Sequence, residues 1–147
     1  MSGVRIFGIG SPSGDDQAGW LTVDALLATD LADVQIEKLD RPGANLISLM
    51  ENASEVILID AMRGNGGVGG IQRFDENDWP AYGEGLSSHG FGVMAALTLA
   101  RELGSLPARL DLYGIRIGSV LPGDTAGREV QAAAQRLAAM IASSLRG

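Results

Sequence analysis

Three acidic side chains and the chain's one histidine stand where apolar runs stop. Asp15 and Asp16 lie in "GSPSGDDQAGW", directly after "VRIFGI"; Asp60 closes "EVILID"; His89 lies in "SSHG", just ahead of "FGVMAALTLARELG". A loop of Gly, Ser and Pro that enters a helix commonly holds a phosphate, because free backbone N–H groups and the helix dipole favour an anion. Asp15 and Asp16 would repel one, so these acids either cap the helix or reach for something positively charged. Capping and the dipole favour an Asp at a helix N-terminus in any case, but one carboxylate is enough for that. Asp60 is harder to explain structurally: a carboxylate ending an apolar strand is costly to desolvate and needs a partner, water or a metal. His89 alone reads as readily as a loop histidine with a satisfied hydrogen bond. Taken together, two carboxylates and an imidazole suit a borderline first-row divalent metal with positions left open for substrate or water.

Competing chemistries are weaker. "GIGSPSG" has the spacing G-x-G-x-x-x-G rather than that of a dinucleotide loop, and the next strand ends in "EKLD" without a clear ribose-binding signature. "RGNGGVGG", after Asp60, has no following lysine or helix to make it a phosphate loop, and reads as a turn or flexible connector. Ser87 and Ser88 adjoin His89, yet no G-x-S-x-G elbow is present, so a serine hydrolase is not supported. The chain has no cysteine, which removes disulfides, a cysteine nucleophile and a thiolate zinc site together.

The elements that must position these residues follow from periodicity. "VRIFGI" and "EVILID" are compact apolar runs suited to buried parallel strands, and "VQIEKL" alternates as a half-buried strand does. A helix is predicted from about Gln17 to Ala28, with Trp20, Val23 and Leu27 on one face, and a short one over "ANLISLM". "GIQRF" and "ARLDLYGIRI" are further strands; "FGVMAALTLARELG" is a helix stopped by Gly104 as C′ residue. A last helix, capped by Asp124 or Thr125, carries the stripe Val130, Leu137, Ile141 and Leu145. The order β-α-β-α-β-β-α-β-α predicts an α/β fold, a three-layer α/β/α sandwich around a mostly parallel twisted sheet, as one domain over 1–147. Ligands of such sheets collect beyond the carboxyl ends of the strands, where the unusual polar residues fall.

Composition narrows the function further. The formal net charge is −7 and Lys38 is the only lysine, so no basic stripe exists for nucleic acid. No signal-like N-terminus and no apolar run of about 18 residues is present. The expectation is a soluble, cytoplasmic, monomeric protein without a membrane or nucleic-acid partner.

With these residues in place, the chain resembles the nickel–iron hydrogenase maturation proteases, endopeptidases that trim the C-terminal extension of the hydrogenase large subunit. The resemblance begins at "FGIGSPSGDDQAGW", continues through "ILIDAMRGNGGVGGI" and closes on "SSHGFG", with two acids and one histidine in the family's order and at similar distances. It implies that Asp16, Asp60 and His89 bind nickel, that the nickel belongs to the substrate, and that the partner is the precursor of the large subunit. Nickel would then act as a checkpoint before cleavage, either polarising the scissile carbonyl or serving only as a tether; in the second case Asp16 or Asp15 would be the general base. "DRPGAN" resembles the family's glycine-containing turn after the second strand. The chain departs from the pattern at Ser11, where many members have Asn, and at Arg41 and Pro42, where two glycines often stand. Arg41 is available to a carboxylate on the partner. Two rival readings keep some of these residues: a noncatalytic nickel-binding or chaperone-like module for the immature subunit, and a nucleotide-binding domain using the first glycine loop.

Overall fold

The computed structural model describes residues 3–12, 14–63, 66–75, 90–118 and 125–146. Five strands, β1 (Val4–Gly10), β2 (Val34–Asp40), β3 (Glu55–Met62), β4 (Ile71–Phe74) and β5 (Arg109–Arg116), form one sheet in the order β2-β1-β3-β5-β4. β1 pairs in parallel with β2 and β3, β3 pairs in parallel with β5, and β4 runs antiparallel to β5 at the edge. The helices are α1 (Ala18–Leu27), α2 (Asn45–Met50), α3 (Gly90–Glu102) and α4 (Arg128–Arg146). Element order and class agree with the sequence expectation.

Burial explains the strand types. β3 is buried at every position after Glu55, as expected for a strand covered on both faces, whereas β2 alternates between half-buried and mostly exposed positions as an edge strand does. One face of the sheet packs Ile6, Ile57, Ile59 and Ile115 against α1 and α4. The other packs Phe7, Val56, Leu58 and Leu112 against α2 and α3. On α4, alanines 133, 134, 138 and 142 alternate with Val130, Leu137 and Ile141, which lets this helix lie close to α1. Leu145 joins the edge of that core as a partly buried residue.

The face of α1 differs from the predicted one. Ala18, Gly19, Thr22, Val23 and Leu26 are buried, while Leu27 is 59% exposed and Trp20 is half-buried. The cause is Gly19, where an added Cβ would run into the backbone oxygens of Ile9 and Ile59. The helix backbone therefore rests directly on β1 and β3, and the buried stripe is centred on Gly19 rather than Trp20. The Trp20 indole Nε1 donates instead to the Leu39 carbonyl, 2.9 Å away.

α3 ends as predicted. Gly104 has φ +69°, its N–H donates to the Arg101 carbonyl, and the Ser105 N–H donates to that of Ala100. The glycine-rich connector, where described, is a bonded turn. Gly69 N–H donates to the Arg116 carbonyl at 2.8 Å, Gly70 N–H to Gly67, and Arg116 N–H to Gly70. Among the described residues, no helix is long and apolar enough to cross a membrane.

Candidate functional site

The sheet opens between β1 and β3. These strands pair up to Gly8 opposite Ile59; β1 then continues along β2 to Gly10 opposite Asp40, and β3 continues along β5 to Met62 opposite Arg116. The chain leaves β1 toward β2 over the α1 face, and leaves β3 toward β5 by way of α3 on the opposite face. This reversal is the position at which doubly wound sheets form a ligand crevice at their carboxyl end.

Asp16 and Asp60 occupy the two sides of that split. Asp16 lies in a 3₁₀ turn, Gly14–Gln17, which packs against the ends of both β1 and β3. The turn folds back closely because Gly10 has no side chain: a Cβ there would stand 2.7 Å from the Asp16 carbonyl oxygen. The Asp16 carboxylate is buried and its Oδ2 accepts from the Ser11 hydroxyl at 3.3 Å. Asp60 is fully buried. β3 continues two residues past it, so Asp60 is inside the strand rather than its last residue. It shares the strand face of Val56, Leu58 and Met62, which looks toward α2 and α3, and its Oδ1 accepts from the Ala61 N–H at 2.7 Å.

His89 lies outside the described residues, as does Asp124. α3 begins at Gly90, and its N-terminal turn abuts the segment leaving β2: a Cβ on Gly92 would meet the Pro42 carbonyl at 2.7 Å. The first turn of α3 is thus at the same carboxyl end of the sheet as the two acids. Among the described residues, no three acidic or imidazole side chains converge as a metal cluster.

The adjacent acid behaves differently. Asp15 is buried, its Oδ2 accepts the Gly118 N–H at 2.8 Å and its Oδ1 accepts the Gly127 N–H at 2.7 Å. Both oxygens are committed to backbone donors, a poor arrangement for a general base. Gly127 immediately precedes α4, so an acid from the other end of the chain serves the start of this helix, which begins at Arg128, later than predicted. The signal for this was absent locally, because Asp15 and its donors are 103 and 112 residues apart. Ser11 was legible only as an unusual residue in the first loop, not as a partner of Asp16.

Arg41 stands on the rim. Its φ of +47° is the left-handed conformation that glycine tolerates best, which gives a physical reason for glycine at such a position. Its N–H donates to the Gly10 carbonyl and its Nε to Asp40 Oδ1 at 2.7 Å. The hydrogen bond to Asp40, together with that carboxylate's charge, raises the guanidinium pKa above its ordinary value. Desolvation opposes the shift, and the charge of Asp16 adds to it. A cationic group thus lies within the field of the crevice acid.

A cavity of about 630 Å³ lined by Gly3, Val4, Arg5, Asp33, Val34, Gln35 and Asn52 lies at the amino ends of β1 and β2. It is at the opposite end of the sheet from Asp16 and Asp60, and Arg5 is already engaged with the Leu49 carbonyl. The candidate site is the one at the buried acids, away from this cavity.

Known structures share this architecture. The hydrogenase-maturating endopeptidase HybD from E. coli is similar at a TM-score of 0.87 and 24% identity, over 99% of this chain and 93% of that one. A hydrogenase 2 maturation peptidase from Thaumarchaeota archaeon SCGC_AB-539-E09 is similar at a TM-score of 0.73 and 25% identity, over 98% of each chain. The [NiFe] hydrogenase maturation protease HycI from Thermococcus kodakarensis KOD1 gives a TM-score of 0.73 and 24% identity, over 99% and 94%. No curated protein sequence matches the chain. The family profile described as hydrogenase maturation protease matches residues 41–144, a span that contains Asp60 and His89 and begins after Asp16. With most of its length matched by that profile, the chain belongs to the hydrogenase maturation protease family.

Proposed function

We propose that this protein is the endopeptidase that removes the C-terminal extension of a nickel–iron hydrogenase large-subunit precursor after nickel insertion, and that it recognises the substrate's own nickel through Asp16, Asp60 and His89. The observation that carries this reading is the pair of buried carboxylates on the two sides of the β1/β3 split. Two carboxylates with an imidazole suit a borderline divalent metal with positions left open for substrate. Asp60 stands in a strand supported on both faces, and Asp16 in a turn seated on that same strand, so both sides of the crevice are built on the rigid sheet.

The reaction is hydrolysis of one peptide bond. Water adds to the scissile carbonyl, the C–N bond breaks, a base takes the water's proton, and the leaving amine gains one. With both Asp15 oxygens engaged by backbone N–H groups, the base is assigned to the crevice acids, with Asp16 as the nearer to solvent: it is 6% exposed against 0% for Asp60. The substrate's nickel tethers the precursor end in register with that base.

The test is intact mass of the precursor after incubation with the protein, with and without nickel in the precursor. Loss of a C-terminal peptide from the nickel-loaded form alone is the expected result. Association without any change in mass, on precursor that a known processing enzyme can cut, would establish the noncatalytic module instead.

A further inference from the structure

We infer that Asp15 is a positioning residue for Asp16, an inference that rests on the reading of Asp16 as an acid that engages substrate. The double aspartate divides into an anchor and a working group. Asp15 binds two backbone N–H donors, Gly118 at 2.8 Å, just past the end of β5, and Gly127 at 2.7 Å, just before α4. Both bonds are charge-assisted, which makes them strong, and they run from the exposed Gly118 and Gly127 to a carboxylate that is itself buried. Asp16 follows in the same four-residue turn, and its carboxylate is aimed by the Ser11 hydroxyl while its carbonyl accepts the Ser11 N–H at 3.4 Å. The turn is thereby tied on one side to the exit of β1 and on the other to the exit of β5 and the start of α4. A turn this short transmits displacement of one residue to the next. An acid that merely capped α4 could come from any residue near Gly127; supplying it from the residue beside Asp16 couples the two sites.

The first variant is Asp15→Asn, which keeps the shape but turns an NH₂ donor toward one of the two N–H groups. Expected is a folded protein whose kcat on nickel-loaded precursor falls by about 10- to 100-fold, the size of effect that a small misplacement of a reacting group produces. KM should stay within about twofold, as for a change in orientation rather than binding. Should Asp15→Asn fail to fold, Asp15→Glu keeps the charge and the acceptors while lengthening the side chain by one methylene; it should show a smaller loss of the same kind. Loss of stability with wild-type kcat would overturn the inference and leave Asp15 as a cap only. If wild-type protein does not cut the precursor, the protease reading fails separately, and the Asp16 carboxyl ¹³C resonance decides the inference. A shift in Asp15→Asn supports positioning, and an unmoved resonance contradicts it.

Discussion

Asp60 and Asp111 are buried aspartates on neighbouring strands of one sheet, yet their carboxylates accept from different kinds of donor. Asp111, the third residue of β5, is met by an arginine fork: Arg73 Nε and Nη2 both donate to its Oδ1, at 2.9 and 2.6 Å, and Arg109 stands 3.9 Å from its Oδ2. Asp60, third from the end of β3, accepts from the amide of the next residue. A guanidinium fork ties a carboxylate to a neighbouring strand, whereas the amide of the next residue fixes its orientation within its own strand. The first arrangement joins β4 to β5 within the body of the sheet; the second holds the carboxylate near the carboxyl end of β3, beside the β1/β3 split.

Breaking each arrangement should therefore have opposite consequences. Asp60→Asn is expected to lower cleavage of nickel-loaded precursor by about 10²- to 10⁴-fold, the usual weight of a group acting on the reaction, with the circular-dichroism spectrum unchanged. Asp111→Ala should leave kcat within about twofold but lower the unfolding free energy by about 1–3 kcal/mol in a urea titration. The low end is expected there, because Arg73 is over half exposed and water can replace its partner. Equal losses of activity from the two variants would erase the distinction.

A smaller effect sharpens the crevice side. Ser11→Ala removes one long hydrogen bond to Asp16, a net interaction of about 1 kcal/mol. If that bond aims the working carboxylate, kcat falls about fivefold. The smallest effect belongs to the β4/β5 side and appears only at high pH. Burial, with the charge of Asp111 second, raises the Tyr113 pKa above its ordinary value. The folded state then holds this proton more tightly than the unfolded state, so Tyr113 contributes stability in full below about pH 10. That contribution is lost as pH rises from there through the raised folded value, which a series of thermal melts across this range should register as a decline that Tyr113→Phe removes.

Much of this organisation was legible in the residues. Apolar runs with polar stops predicted the order of strands and helices, because strand burial on both faces imposes continuous apolar sequence, as in β3. Asp60 stood out for the same reason: an acid closing such a run has a desolvation cost that the sequence displays directly, although β3 continues two residues past it. What could not be read depends on contacts distant in the chain. The buried face of α1 is rotated by the approach of Gly19 to the carbonyls of Ile9 and Ile59, which the helix's own periodicity does not contain. The division between Asp15 and Asp16 is set by amides more than a hundred residues away, so residue type alone does not separate two adjacent aspartates. The cap of α4 was sought among its preceding residues for the same reason.

On the proposed reading, Asp16 and Asp60 act as a pair on nickel carried by the precursor. Calorimetric titration of nickel-loaded and nickel-free precursor against wild type, Asp16→Ala and Asp60→Ala tests it most directly. The expected result is tighter binding of the nickel-loaded form by wild type and loss of that preference in both variants. A preference for nickel-loaded precursor that survives in both would rule out recognition by this pair and move it away from the β1/β3 split.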